Sequence, residues 1–286
     1  MKKPTILLVY KQSALSIAGK LSHYLRENES FQSNHKAHAL SLRHIEQVLK
    51  GHQVKYHKHT RSKNLNYKSF DLIITVGGDG TLLEVARGLN NRQLLLGVNS
   101  DPKWSIGKFC CSNKDTFENV LLKVIHQKQE ILRLTKLHLK LCHGKGNYAV
   151  ECLNDILICH ANPAAMTRYQ IMVGEQNEYH RNSGIWFSTA AGSTGAMLSA
   201  GGEEMPASST DIQYKPRELY HAKGIKYHLS GGFIPKTKKA LIISSMPRGC
   251  IFVDGSHVRI PFIYGHRAEI SSSKNYIQLV HEPAFQ

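Results

Sequence analysis

The sequence has no apolar run near the roughly 20 residues that a helix needs to cross a bilayer, which excludes a membrane-spanning helix. Its six cysteines, at positions 110, 111, 142, 152, 159 and 250, include no C-x-x-C pair. Most lie in apolar runs and are expected to be reduced core thiols of a cytosolic protein; a zinc site built from scattered His and Cys is the alternative. Acidic residues are scarce: 21 Asp and Glu stand against 37 Lys and Arg, a formal charge of +16, and 17 His add to it below neutrality. Such a surface attracts polyanions and steers anionic substrates such as nucleotides. The excess is not gathered in a basic tail or one basic helix, which argues against nucleic acid as the partner.

What is present is a chain of 286 residues, 41% hydrophobic, long enough for a sizeable core and for two domains. Met1-Lys2-Lys3-Pro4 ahead of an apolar stretch mimics the front of a signal peptide. The apolar part is too short, however, and Lys11-Gln12 ends it without a cleavage-like site, so a first strand is expected at 6–10. Further strands are expected at 54–57, 71–76 and 94–98, with helices at 14–29, 37–50, 81–89 and 115–127. This βα alternation predicts an N-terminal α/β domain with a parallel sheet, whose ligands sit at the carboxyl ends of the strands. From residue 131 the pattern changes to short strands punctuated by Gly, Asn and Asp, which predicts a C-terminal antiparallel β-rich, sandwich-like domain. The expected segments are 1–112, 113–272 and 273–286, with a last strand at 276–281 returning to the first domain. Residues 203–223 have little periodicity and are expected to form a partly ordered loop over a site.

One dense signal follows the strand Leu72-Ile73-Ile74-Thr75-Val76: Gly77-Gly78-Asp79-Gly80-Thr81. Glycines there permit positive φ and let backbone N–H groups approach an anion without a Cβ in the way. Asp79 would repel phosphate, so it implies a hydroxyl to deprotonate or a metal to share. The plainer alternative is Asp79 capping a helix that starts near Thr81. A second signal spans 182–202, where a strand runs into a small-residue turn and a short helix. Ser193 and Thr194 would stand at the amino end of that helix, again suited to an anion; an ordinary capped helix packed through small residues is the alternative.

Taken in order, Val-Gly-Gly-Asp-Gly-Thr at 76–81, Leu153-Asn154-Asp155, and the run from Ser188 to Gly202 with its GST and SAGG pieces, the chain resembles the NAD kinase family. That family transfers the γ-phosphoryl group of ATP to the 2′-hydroxyl of NAD's adenosine ribose. The resemblance covers nearly the whole chain. GGDGT alone is shared with diacylglycerol and sphingosine kinases, and the GST and SAGG pieces separate this chain from them. The resemblance implies that Asp79 is the base and that Gly77, Gly78, Gly80 and Thr81 meet the donor's phosphates. Asn154 and Asp155 match the family's Asn-Glu pair, which holds NAD's ribose and adenine. Ser193, Thr194 and Ser199 match hydroxyls lining the same pocket, and Arg181 is placed to meet a phosphate. It further implies Mg²⁺ with ATP, a homodimer or homotetramer, and no nucleic-acid or membrane partner.

Three departures stand out. Ser183-Gly184 replaces the commoner Asp-Gly pair, Ala196 or Met197 stands where a Tyr is usual, and Ser100 to Gly107 replaces a short Gly-Leu-Gly turn. The pair and the loop resemble the mitochondrial-type NAD kinases. The chain opens directly at its first strand, so a cytoplasmic member of that branch is expected. Two alternatives are a diacylglycerol-type lipid kinase and an NAD- or NADP-binding sensor without phosphoryl transfer, which Ser183 and Ala196 make credible.

Overall fold

Runs of Ile, Leu and Val suit strands covered on both faces. The first such run, Ile6–Tyr10, is strand β1 of the computed structural model, which describes residues 4–18, 28–61, 65–143, 146–221, 224, 226–256 and 258–282. The chain separates into Met1–Leu132 with Ile277–Gln286, and Arg133–Tyr276, against the expected segments 1–112, 113–272 and 273–286.

In the first unit β1 is followed by α1 (Ala14–Ala18), α2 (Glu29–Gly51), β2 (Tyr56–Thr60), β3 (Leu72–Gly77), α3 (Asp79–Gly88), β4 (Leu94–Asn99), β5 (Ser112–Asn113) and α4 (Phe117–Ile125). Residues 19–27 of the expected helix 14–29 lie outside the described residues. Helix α2 begins earlier than the expected 37, because Asn28 caps it: its side-chain oxygen accepts the N–H groups of Ser30 and Phe31. Polar Ser30, Gln32, Ser33 and Asn34 hide that first turn from a reading by apolar spacing. The strands pair in parallel in the order β2-β1-β3-β4. On the far edge of β4, β5 pairs with Val98 and Asn99, and Gln278 and Leu279 pair with Leu94 and Leu95. Gln278 and Leu279 lie within the expected last strand, 276–281. Ile45 and Leu49 of α2, Ile74 and Leu96 of the central strands, and Phe117 and Leu121 of α4 share one core. Because α4 packs there, it belongs to the first unit. Gly77 and Asn99 are register partners, so the turn after β3 and the loop after β4 leave the sheet side by side.

The second unit is antiparallel. It contains β6 (Glu130–His143, within this unit from Arg133), β7 (Gly146–Cys152), β8 (Asp155–His160), β9 (Thr167–Val173), β10 (Gln176–Asn182), β11 (Gly184–Ser188), β12 (Ile212–Arg217), β13 (Gly232–Ile234), β14 (Lys239–Ser244), β15 (Gly249–Val253), β16 (Val258–Pro261) and β17 (Arg267–His281, within this unit to Tyr276). One row of strands reads β10-β9-β14-β17 and a second sheet reads β13-β12-β11-β8-β15-β16. Leu139, Ile158, Tyr169, Phe187, Ile242 and Ile251 lie in a single core. This is the expected β-rich architecture. The expected loop 203–223 needs correction, since it contains β12, paired along β11 from Ser188↔Gln213 to Gly184↔Arg217. Only Ile212 and Tyr214 of β12 reach the core cluster, and Pro216 interrupts the pattern, so the strand is faint in sequence.

Ile74 is fully buried in the central strand of the parallel sheet. Replacing it with Ala is expected to lower stability by about 3 kcal/mol in chemical denaturation; a loss under about 1 kcal/mol would contradict this account of the core.

Candidate active site

The turn after β3 is the first candidate element. Helix α3 starts at Asp79, two residues before the expected Thr81, and its N-cap is Gly78, so Asp79 is the first helical residue and not the cap. None of Gly77, Gly78 and Gly80 adopts positive φ. What the glycines supply is room. A Cβ on Gly77 would lie 2.4 Å from Thr81 Oγ1 and one on Gly78 2.5 Å from Ser105 Oγ, while the face of Gly80 is open to 4 Å. Thr81 is buried under the turn, and its N–H is bonded to Gly78 O.

Half-buried Asp79 uses both carboxylate oxygens. Oδ2 accepts the N–H of Lys108 at 3.0 Å and Oδ1 that of Phe109 at 3.0 Å. The loop that supplies these donors is held from its other end as well. Asn99 accepts the N–H of Asp101 and donates to Ser105 O, Asp101 accepts from Asn34 Nδ2, and the N–H of Ser100 donates to Gly77 O. The unusual stretch 100–109 is therefore strapped to the GGDGT turn through Asp79. A carboxylate has about four acceptor positions, so these two bonds leave acceptor capacity on Asp79. Burial, and after it the Asp79 charge, pushes the neighbouring Cys110 thiol up.

The second unit places Asn154 and Asp155 together where β7 turns into β8, and adds Asp254, which the sequence reading missed. Asp254 sits at φ +47 after β15. Its Oδ1 accepts the N–H groups of Asn154 at 2.8 Å and Asp155 at 3.4 Å, and its Oδ2 that of Leu153 at 3.3 Å. The carbonyls of the same turn are held from β11: Ser188 Oγ and Thr189 N donate to Asn154 O, and Thr189 Oγ1 donates to Leu153 O. A Cβ on Gly192 would lie 2.4 Å from Asn154 O, which explains the small-residue run Ala190-Ala191-Gly192. With its backbone fixed on both sides, Asn154 has a side-chain oxygen that is buried and has no hydrogen-bond partner among the described residues. Such an atom needs a donor. Asp155 is 9% exposed, and burial followed by the Asp254 charge pushes its carboxyl up to about 7. The signal for Asp254 was an Asp-Gly turn at a strand end, which looks like any hairpin.

The remaining expected residues are more dispersed. Ser193 is fully buried, its hydroxyl donating to Ala190 O and accepting the N–H of Met205, so it serves the fold before any ligand. It opens a single helical turn, Ser193–Met197, that is broken at Gly195. Thr194 is half-buried, Gly195 is exposed, and exposed Ser199 donates to Gly195 O. Arg181 is exposed on β10, and Ser183 lies just before β11, with a buried hydroxyl oxygen that has no partner among the described residues. Asp155 pairs with Ser188 at the far end of that strand. Arg181 and Ser183 are thus separated from Asn154 and Asp155 by roughly 15 Å along the strand.

Comparison with known proteins agrees with the motif order. Residues 6–129 match the family model for the ATP-NAD kinase N-terminal domain. A probable NADH kinase of Oryza sativa subsp. japonica is 33% identical over 231 residues, 73% of this chain and 70% of the relative. An NADH kinase of Arabidopsis thaliana is 30% identical over 274 residues, covering 84% of this chain and 82% of the relative. Among solved structures, yeast NADH kinase complexed with NADH superposes with a TM-score of 0.74 at 17% identity, covering 98% of this chain and 84% of that one. An NAD kinase from Archaeoglobus fulgidus in complex with ATP gives 0.72 at 21% identity, covering 98% and 95%. These two share the fold.

Asp155 generates a pH prediction. Its folded pKa lies above the ordinary carboxylate value, so between about 4 and 7 the native chain holds a proton that the unfolded chain releases, and stability falls as pH rises through that window. Asp155→Asn is expected to raise the melting temperature at pH about 8 and to make no difference below pH about 4. A variant that melts lower than wild type at the higher pH would contradict a buried, charge-opposed carboxyl.

Proposed function

The chain belongs to the NAD kinase family, and we propose that it transfers the γ-phosphoryl group of ATP to the 2′-hydroxyl of the adenosine ribose of NAD. What supports this most directly is Asp79: a carboxylate fixed by two backbone N–H groups at the amino end of α3, with acceptor capacity left over. A ribose hydroxyl is a weak nucleophile. A fixed carboxylate orients it and accepts its proton as the bond from ribose oxygen to the γ-phosphorus forms and the bond from that phosphorus to the β–γ bridging oxygen breaks, releasing ADP. Gly77, Gly78, Gly80 and Thr81 belong to the strand-to-helix turn suited to the phosphates.

Asn154 and Asp155 are assigned to the acceptor. The unpartnered oxygen of Asn154 suits an amino donor such as the exocyclic group of adenine. Asp155, poised near neutrality, suits a ribose hydroxyl. Thr194, Ser199, Arg181 and Ser183 are assigned supporting contacts. Mg²⁺ enters with the ATP triphosphate as part of the substrate, a role that asks for only one or two protein carboxylates. The described residues contain no group of three or more His, Cys, Asp or Glu suited to a metal. No helix among the described residues is long and apolar enough to cross a membrane; we assign the enzyme to the cytoplasm, as a homodimer or homotetramer.

A second acceptor needs testing because both plant relatives are named NADH kinases. Purified protein with ATP and Mg²⁺ is expected to convert NAD, NADH or both to the phosphorylated dinucleotide. Asp79→Asn is expected to lower kcat by about 100-fold or more. An amide cannot accept both loop N–H groups as the carboxylate does, so the variant is also expected to lose about 1 kcal/mol of stability. Near-full turnover in a folded Asp79→Asn protein would remove Asp79 as the base.

A further inference from the structure

Residues 100–109 belong to no helix or strand, yet they carry the two N–H groups that Asp79 accepts. Burial of large side chains does not shape this loop, since Trp104 is 64% and Ile106 95% exposed. Contacts from outside it do. Helix α2 reaches the start of the loop twice, from residues seven apart and therefore on one face. Ser41 Oγ donates to Ser100 O at 2.8 Å, and Asn34 Nδ2 donates to Asp101 Oδ2 at 2.7 Å. Asp101 is buried, and a carboxylate in such a place is costly without a donor.

From Asp101 the contacts run on to Asp79 without a break. The Asp101 N–H donates to Asn99 Oδ1 at 3.1 Å, and its carbonyl accepts the N–H groups of Trp104 and Ser105 at 3.2 and 3.1 Å. Asn99 Nδ2 donates in turn to Ser105 O at 2.8 Å. Gly107, at φ +63, closes on the same amide so tightly that a Cβ there would lie 2.3 Å from Asn99 Nδ2. Lys108 and Phe109 follow at once, and their N–H groups meet Asp79.

We propose that Asn34 is a positioning residue for phosphoryl transfer: its bond to Asp101 holds the loop in the shape that delivers the N–H groups of Lys108 and Phe109 to Asp79. Two donors aim a carboxylate as well as satisfying it. A proton acceptor displaced by about 1 Å can cost on the order of 100-fold in rate, so a tie made on α2 reaches the chemistry through the loop.

The proposal rests on the reading of Asp79 as the base, and its test keeps the two ideas apart. Wild type, Asn34→Asp, Asn34→Ala and the double variant Asn34→Asp/Asp101→Asn are compared by steady-state kinetics with ATP and the dinucleotide, and by amide hydrogen exchange over residues 105–110. Asn34→Asp sets two carboxylates against each other, and the double variant restores the bond with donor and acceptor exchanged. Asn34→Asp is expected to lower kcat about 30-fold and Asn34→Ala about tenfold. KM for the dinucleotide is expected to stay within about twofold, because Asn154 and Asp155 belong to the other unit. Exchange at Lys108 and Phe109 is expected to quicken about tenfold in both single variants, and the double variant to recover most of the kcat and the protection. Asn34→Ala places a strong helix former on α2 and serves if Asn34→Asp does not fold. A folded single variant with wild-type kcat, or one whose kcat falls while the two amides stay protected, would overturn the positioning role. A folded double variant no better than Asn34→Asp would do the same. A wild type that phosphorylates no dinucleotide, or a fully active Asp79→Asn, would instead overturn the reading of Asp79 and the role in transfer with it, while the exchange rates still decide whether Asn34 holds the loop.

Discussion

A loop inside a protein must find partners for its backbone N–H groups, and an unpaired buried donor costs on the order of 1–3 kcal/mol. At two places in this chain one carboxylate meets that need for a whole loop. Asp79 takes Lys108 and Phe109; Asp254 takes Leu153, Asn154 and Asp155. Each carboxylate thereby fixes residues that strand pairing leaves free. The parallel sheet delivers Gly77 and Asn99 side by side, yet the geometry of the loop beyond Asn99 depends on Asp79. The antiparallel sheet delivers Asp155 opposite Ser188, yet the orientation of Asn154 depends on Asp254.

Under the proposed assignment Asp79 has two tasks that the chemistry must reconcile. As a proton acceptor it needs a free lone pair; as the strap of the 100–109 loop it already spends two. Both fit on one carboxylate because its two oxygens offer about four acceptor positions. An ordinary helix N-cap, which the sequence also allowed, would have turned the carboxylate back on the first turn of α3. With Gly78 as the cap, the side chain is released for the loop.

How much of this could be read in advance follows from the range of each interaction. Apolar runs such as Leu72 to Val76 and the βα alternation are local, and so the fold class, most strands of the first unit and the Asp79 turn were legible. Asn154 and Asp155 were legible only as parts of a motif order, whereas Ser193 also stood out at the expected amino end of a short helix. Asp254 was not, because its partners lie about a hundred residues away in sequence and an Asp-Gly pair after a strand is what any hairpin turn looks like. Strand β12 was lost to Gln213, Lys215 and Pro216, and the first turn of α2 to a polar stretch that Asn28 caps. The hydroxyl of Ser193 looked available for a ligand; in the fold it is tied to Ala190 and Met205.

The departures at Ser183 and Ala196 fall away from this machinery. Ser183 lies at the far end of β11 from Asp155, and Ala196 lies in the short turn that Gly195 breaks. Among the described residues neither is a hydrogen-bond partner of Asp254 or of the turn that Asp254 holds, so that turn stays fixed without them. The most direct measurement is phosphorus NMR on the product formed from ATP and the dinucleotide. A new phosphate monoester on the 2′-oxygen of the adenosine ribose, absent when Asp79→Asn replaces the wild type, is the predicted result. A phosphate on any other hydroxyl, or the same product at the same rate from Asp79→Asn, would contradict the account.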